Sequence, residues 1–166
     1  MVKIILSLFF LYPCIVLADC NLEANMCFQT KMGMLIQKTR VVAGDNYSHL
    51  ILNDSEIFKA RTDYITFEFN DSGVFMNGKH YIIKTVFSFI SNDPCSFNGY
   101  YGFCSKSVVL DFSGTEPKTS NSFTPDSGNS VIDWISWGKK NAIIVFEDGS
   151  RFKYENGRVE RLKKDQ

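Results

Sequence analysis

The sequence predicts an all-β fold: an antiparallel sandwich or a partly closed β-barrel, with two disulfides and at most one short helix. Three observations support this prediction. The stretch from Val131 to Leu162 contains four short runs rich in aromatic and β-branched residues, separated by turns that include Asp148-Gly149 and Asn156-Gly157. Such Asx-Gly pairs favour two-residue hairpin turns. A second run of strand patterns starts at Tyr64, and four cysteines remain once a leader is removed.

Residues 1–18 have the features of a secretory signal peptide. Lys3 is followed by an apolar run from Ile4 to Leu17, and the small residue Ala18 suits the position before a cleavage site. The apolar run is too short to span a bilayer, so no stable membrane anchor is expected after cleavage. We therefore predict a secreted or periplasmic protein in which residues 19–166 form a single β-rich domain.

Four of the five cysteines belong to the predicted mature chain, and they are Cys20, Cys27, Cys95 and Cys104. An even number in an exported protein predicts disulfides, for which four cysteines allow three connectivities. We favour Cys20 with Cys27 and Cys95 with Cys104, because the members of each pair lie close in the chain. A bond between the N-terminal segment and the middle of the domain is the alternative. The chain has no C-x-x-C pair, so we predict no metal site.

The charge balance argues against a nucleic-acid partner. The full chain has 18 Lys and Arg against 18 Asp and Glu, and loss of Lys3 leaves 17 cations. Nucleic-acid binding depends on clustered cations that neutralise phosphates. The basic residues from Arg158 to Lys164 are interrupted by Glu160, which is typical of a solvated edge strand and tail. No cofactor motif is present in the sequence.

In the first part of the chain, the strand signals are short. Residues 19–32 lack strict alternation and predict a short helix or an irregular arm. Leu35 to Val42 is the first clear strand, closed by a turn at Gly44-Asp45-Asn46. His49 to Leu52 is the second, and Glu56 to Arg61 is expected to form a helical turn.

From Tyr64 onward the alternation is stronger. Strands are predicted at residues 64–69, 74–76 and 80–90, and one nearly apolar face of the last of these is expected to line the core. A further strand covers residues 107–112, and residues 114–130 are predicted to form a long mobile loop. With the C-terminal meander, the total is about nine to eleven strands, a usual number for one sandwich or barrel.

No catalytic residues are predicted. His49 and His80 are the only histidines, and neither lies in a metalloprotease or hydrolase motif. Both are expected at the entry of a strand, where an exposed imidazole is ordinary. Trp134 and Trp137 lie three apart on a strand and should therefore face opposite sides, so at most one should sit deep in the core.

The predicted partner-binding site is the segment between Cys95 and Cys104. Rigid aromatic rings provide contact area there, and small residues let the backbone fit a partner. The residues assigned to the site are Phe97, Asn98, Tyr100, Tyr101 and Phe103. The alternative is a hairpin whose aromatic residues fold back over one end of the core.

These features lead to the hypothesis of an exported, non-enzymatic protein-binding domain, namely a periplasmic inhibitor or immunity protein that blocks an exported toxin or hydrolase. Two alternatives stay open. Fifteen Phe and seven Tyr suggest a barrel that encloses an apolar or carbohydrate ligand. A secreted hydrolase or toxin would use His49 or His80 with a nearby carboxylate.

Overall fold

The structure is a computed structural model that describes residues 26–70, 73–74, 79–89, 102–128, 130–138 and 141–163. These residues form three four-stranded antiparallel sheets and one two-stranded sheet, and none of the described sheets closes into a barrel. The predicted all-β, antiparallel fold is therefore confirmed. The described part of the chain contains no helix, and hence none with the length and hydropathy to cross a bilayer.

The N-terminal sheet has its strands in chain order. They are β1 (Met26–Thr30), β2 (Gly33–Val42), β3 (Asp45–Leu52) and β4 (Ser55–Arg61). The β2–β3 turn has positive φ at Ala43 (53°) and Gly44 (87°), and the β3–β4 turn at Asn53 (46°) and Asp54 (65°). Two consecutive positive φ angles define the turn that matches the twist of paired strands.

Two predictions for this region are wrong. Glu56 to Arg61 is not a helical turn, because it belongs to β4. Met26–Thr30 is a strand rather than a helix or irregular arm, and its pairing with β2 supplies the backbone hydrogen bonds. The rest of the predicted arm, residues 19–25, lies outside the described residues, as does the predicted signal peptide.

The central sheet has the order β10-β9-β8-β5, and a small two-stranded sheet lies between β5 and β8 in the chain. The strands are β5 (Tyr64–Phe67), β6 (Phe69–Asn70), β7 (Gly73–Val74), β8 (His80–Phe89), β9 (Gly102–Asp111) and β10 (Lys118–Thr119). Strands β8 and β9 pair along their full length, from His80 opposite Asp111 to Phe89 opposite Gly102. They form the longest hairpin of this sheet.

The predicted C-terminal meander is confirmed. Its strands are β11 (Ile132–Trp137), β12 (Asn141–Phe146), β13 (Arg151–Glu155) and β14 (Arg158–Arg161). Asn156 and Gly157 form the expected two-residue turn, with φ of 49° and 86°. The Asp148-Gly149 connection differs: only Gly149 has a positive φ (79°), and Phe146 N donates to Ser150 O across a three-residue loop.

The core consists of two layers, one on each face of the central sheet. Tyr81 and Ile83 of β8 pack with the N-terminal sheet, whereas Ile82 packs with the C-terminal sheet. The central sheet is thus the middle of three layers. The alternation along β8 predicts that one face lines the core, but both faces do. Burial of both faces suits a strand with few polar residues on either side.

The predicted mobile loop at residues 114–130 contributes to the core instead. Phe123 is 6% exposed and lies in the layer between the central and C-terminal sheets. Its backbone N–H donates to Ser107 O, and its carbonyl accepts from Ser107 N. Short pieces such as β10 raise the described strand count to fourteen, above the predicted nine to eleven.

Candidate functional site

The predicted aromatic site lies in the connection between β8 and β9. Phe97, Asn98, Tyr100 and Tyr101 lie outside the described residues, as do Cys20 and Cys95. The backbone of Phe103 lies in β9 opposite Ser88, and that of Cys104 lies opposite Phe87. The partner-binding assignment and the disulfide pairing therefore stay predictions. The structure does show which residues lie near the C-terminal end of β8 and the N-terminal end of β9, the two strand ends that flank this connection.

The β2–β3 turn lies at the same end of the sandwich as this connection. Thr62 N donates to Asn46 O at 3.1 Å, and Asn46 lies three residues from the turn at Ala43. The Thr62 hydroxyl also donates to Val86 O at 2.5 Å, three residues before Phe89. Thr62 therefore joins the β2–β3 hairpin, close to its turn, to the C-terminal end of β8.

The C-terminal sheet reaches the same end. The Ser105 hydroxyl donates to Gly128 O at 3.1 Å, and Ser127 N donates to an Asp148 carboxylate oxygen at 2.8 Å. Glu147 N donates to Val131 O at 3.1 Å. Since Ser105 pairs with Val86, the β12–β13 loop and the start of β11 also lie here. We call this part of the molecule the hairpin end.

Exposed apolar side chains are concentrated at the hairpin end. Among the described residues, the large hydrophobic side chains with substantial exposure are Val41 (70%), Val42 (51%), Tyr64 (44%), Val131 (42%) and Trp134 (43%). The first four lie at the hairpin end: Val41 and Val42 belong to β2, Tyr64 belongs to β5, and Val131 directly precedes β11. Exposed apolar groups that gather in one place mark interaction surfaces more often than scattered ones do.

Trp134 lies on the outer face of the C-terminal sheet. Ile135 and Trp137 pack against the core, whereas Trp134 is 43% exposed. The prediction that the two tryptophans face opposite sides is therefore confirmed.

Charged pairs surround the apolar residues of the hairpin end. Arg61 donates to Asp45 at 2.6 Å, and Arg161 donates to Asp126. Arg161 also lies over the Phe152 ring, 5.5 Å from its centroid. A cleft of about 370 Å³ opens beside this pair, and its lining residues are Asp126, Ser150, Arg151, Arg161, Leu162 and Lys163. Arg158–Arg161 is an edge strand, as predicted.

Asp148 holds the β12–β13 loop to residues 126–128. Burial tends to raise the pKa of this carboxyl, but hydrogen bonds from Ser150 and Ser127 outweigh it and lower the pKa to about 2. Ser150 N and Ser127 N each donate to Asp148 at 2.8 Å. The ionised carboxylate is thus part of the structure of the hairpin end.

The stabilisation by Asp148 is expected to depend on pH. Because the folded-state pKa is about 2, below the ordinary 3.8, the contribution is present above about pH 4 and is lost as the pH falls through 2. Unfolding in urea should show a difference between wild type and Asp148→Asn that shrinks from pH 5 to pH 2. Asp133→Asn, the same change at an exposed position, is the control. A difference that stays constant over this range would contradict the prediction.

At the opposite end, His80 belongs to a polar cluster between the central and C-terminal sheets. His80 Nε2 lies 3.1 Å from an Asp111 oxygen, and the His80 side chain is only 13% exposed, so the expectation of an exposed imidazole is wrong. Trp137 stacks on the His80 ring at 5.1 Å. The Tyr154 hydroxyl donates to the second Asp111 oxygen at 2.5 Å.

The cluster shifts the ionisation of its members. Burial lowers the pKa of His80, although the Asp111 carboxylate acts in the other direction. Burial tends to raise the pKa of Asp111, but hydrogen bonds from Ser113 and Tyr154 outweigh it and lower that pKa. At neutral pH, Asp111 is therefore a carboxylate that accepts hydrogen bonds from both sheets.

His49 also differs from its prediction. It lies within β3 rather than at a strand entry, is 7% exposed, and has its Nδ1 atom 2.5 Å from a Glu56 carboxylate oxygen. Both histidines thus have the carboxylate neighbour that the hydrolase alternative requires. Neither histidine lines the cleft beside Arg161. In the described part of the chain, no three His, Cys, Asp or Glu residues form a group that could hold a metal ion.

Comparison with known proteins identifies no relative. No family model matches the chain, and neither a curated protein nor a solved structure is significantly similar to it.

Proposed function

We propose that this chain is an exported, non-enzymatic protein-binding domain, a periplasmic inhibitor or immunity protein that blocks an exported toxin or hydrolase through its hairpin end. One observation carries the proposal: exposed apolar side chains of β2, of β5 and of the residue before β11 lie at the end of the sandwich where β8 ends and β9 begins. The aromatic residues Phe97, Tyr100, Tyr101 and Phe103, with Asn98, would complete this surface.

The composition of the hairpin end suits a protein interface. Apolar and aromatic side chains form the centre of most such interfaces, and charged pairs lie at the rim. Val42 and Tyr64 are exposed apolar and aromatic side chains of the hairpin end. The Asp45–Arg61 and Asp126–Arg161 pairs are charged pairs that would lie at the rim. These residues lie on paired strands or on hydrogen-bonded loops. Little conformational entropy would therefore be lost when they bind a partner.

The two alternatives have less support. A ligand enclosed in a barrel requires a closed sheet, and none of the described sheets is closed. A hydrolase requires a histidine within reach of a substrate, but Trp137 stacks on one face of His80 and the His49 side chain is only 9% exposed. Binding of a protein surface needs neither feature.

Export and two disulfides are part of the proposal, and the position of Cys27 supports the pairing of Cys20 with Cys27. Phe28 packs against Phe67 and Tyr81 of the central sheet. Since side chains alternate along a strand, the Cys27 side chain points away from the central sheet. Cys104 belongs to β9 of the central sheet, so the orientation of Cys27 disfavours a bond between these two cysteines. Cys95 would then pair with Cys104. Non-reducing peptide mapping of protein recovered from the periplasm should show these two linked peptide pairs and an N-terminus at Asp19.

The binding experiment uses the mature chain as bait with periplasmic extract, followed by cross-linking and identification of the bound protein. Tyr64→Ser is expected to weaken binding of that protein about tenfold or more, as for a residue at the centre of an interface. Trp134→Ser is the matched control, because Trp134 is exposed to a similar extent (43% against 44%) on a different surface. The captured toxin or hydrolase should lose activity when the mature chain is added.

Two results would contradict the proposal. One is the absence of any saturable protein partner, and the other is equal weakening by Tyr64→Ser and Trp134→Ser. Circular dichroism of both variants checks that the fold is retained.

A further inference from the structure

We infer that the outer face of the N-terminal sheet is a docking surface for an acidic segment of a protein partner. This inference deepens the proposed function, because it names the chemistry of the partner. The outer face comprises the side chains of β2, β3 and β4 that point away from the central sheet. The charged and aromatic members of this face are Lys38, Arg40, Asp45, Tyr47, His49, Glu56, Lys59 and Arg61.

The strand register places these residues together. Lys38, His49 and Lys59 form one row across the three strands. Leu50, adjacent to His49, is 1% exposed in the core between the N-terminal and central sheets, so the row containing His49 faces outward.

The next row consists of Arg40, Tyr47 and Arg61. Lys59 Nζ lies over the Tyr47 ring, 5.0 Å from its centroid, which confirms that the two rows share one face. The cations come from two separate stretches of sequence, β2 and β4, and are brought together only by the pairing of both strands with β3.

The outer face is positively charged although the chain as a whole is balanced. It has four cations, Lys38, Arg40, Lys59 and Arg61, against the carboxylates of Asp45 and Glu56, a net charge of +2, whereas the full chain has 18 cations and 18 carboxylates. Both carboxylates are already engaged, Asp45 by Arg61 at 2.6 Å and Glu56 by His49 at 2.5 Å. The face therefore attracts additional negative charge.

A buried polar atom gives independent support. His49 Nε2 is buried and has no hydrogen-bond partner among the residues that the structure describes, while Nδ1 of the same ring is occupied by Glu56. Buried polar atoms in proteins are nearly always paired, so an orphan indicates an absent partner. A carboxylate or carbonyl oxygen from a bound segment would supply the acceptor in the middle of the cationic rows, once the flanking lysine side chains move apart.

The surface fits an acidic polypeptide better than a nucleic acid. Half-buried Ile36 and Ile51 adjoin the cationic rows on the same face, and Val42 continues the face to the hairpin end. Apolar residues beside charged ones are typical of protein interfaces. A single-stranded nucleic acid would need several aromatic rings for base stacking, and the ring of Tyr47 is already covered by Lys59.

The test uses a fluorescein-labelled peptide of ten glutamates and fluorescence anisotropy with the mature chain. Wild type should bind at low salt and release the peptide as salt is added. The double variant Arg40→Glu with Lys59→Glu should weaken binding about tenfold or more. The control is Lys153→Glu with Arg158→Glu, which makes the same charge change on the C-terminal sheet and should have less than about a twofold effect. Thermal melts show whether both variants fold.

The outcomes separate this inference from the proposed function. No binding by wild type, equal weakening by the control variant, or tighter binding of a ten-nucleotide single-stranded DNA would each overturn the inference. Tyr64→Ser should leave peptide binding unchanged while it weakens capture of the partner. Peptide binding without any captured partner would support the inference and contradict the proposed function. Capture of a partner without peptide binding would support the proposed function and contradict the inference.

Discussion

Replacement of Phe123 by alanine is expected to lower the free energy of unfolding by about 3–5 kcal/mol, the usual cost of removing a buried phenylalanine. The side chain is 6% exposed, and its ring lies 5.1 Å from Phe152 and 6.2 Å from Phe146. Its loss would leave a cavity between the central and C-terminal sheets that the paired strands around it are unable to close. Urea unfolding followed by tryptophan fluorescence and circular dichroism would measure the effect.

Ser122→Ala is the control for this prediction, because Ser122 is the exposed neighbour of Phe123 in the same segment. A change within about 0.5 kcal/mol is expected there, as for most surface substitutions. A similarly small effect of Phe123→Ala would mean that residues 114–130 are the mobile loop that their composition predicts. The result also bears on the proposed binding surface, since Ser127 in this segment anchors Asp148 at the hairpin end.

The strands that the sequence predicts well are those with strict alternation or an Asn-Gly turn. The C-terminal meander and β8 are of this kind: β12–β13 and β8–β9 pair over five and ten residues without a register shift, and Asn156-Gly157 joins β13 to β14. Strand β4 was missed because the register shifts between Leu50 and Ile51, so that Ile57 has no partner and the alternation is broken. A bulge inserts one residue and removes the period-two signal over a short strand.

The second core layer was missed for a different reason. Lys84 lies in the middle of β8, on the face that was not predicted to line the core, yet its side chain is 12% exposed and lies 3.9 Å from Glu68. Burial raises the pKa of Glu68, while Lys84 and Ser107 act against this. In the sequence, a buried lysine whose carboxylate partner lies in a distant segment cannot be told apart from a lysine that faces solvent. Only the pairing in space distinguishes the two cases.

The candidate site shows the same limit. A dense aromatic segment between Cys95 and Cys104 is visible in the sequence, whereas Val41, Tyr64 and Val131 are isolated residues in separate segments. They become one surface because Thr62 ties the β2–β3 hairpin to β8 and Ser105 ties β9 to residues 126–128. Such side-chain to backbone bonds depend on topology and leave no local pattern in the sequence.

The second large effect is expected for Asp111→Ala, which should lower the free energy of unfolding by about 2–4 kcal/mol, because hydrogen bonds to a charged group are lost and a buried donor is left without an acceptor. Asp111 is 6% exposed, and its carboxylate accepts hydrogen bonds from Ser113 N at 2.7 Å and from the Tyr154 hydroxyl at 2.5 Å. Alanine would leave the buried Tyr154 hydroxyl without this acceptor, and Ser113 N and His80 without their carboxylate. Equilibrium unfolding in urea at pH 7 is the measurement.

A double-mutant cycle with Tyr154→Phe tests whether this carboxylate joins the central sheet to the C-terminal sheet. If the Tyr154–Asp111 bond is the contact that matters, the double variant should cost less than the sum of the single ones, with a coupling of about 1–3 kcal/mol. Glu155→Ala removes an exposed ion pair with Lys153 one residue further along β13, and should cost under about 1 kcal/mol. Additive effects would contradict the prediction, because the Tyr154–Asp111 hydrogen bond would then contribute nothing of its own to holding the two sheets together.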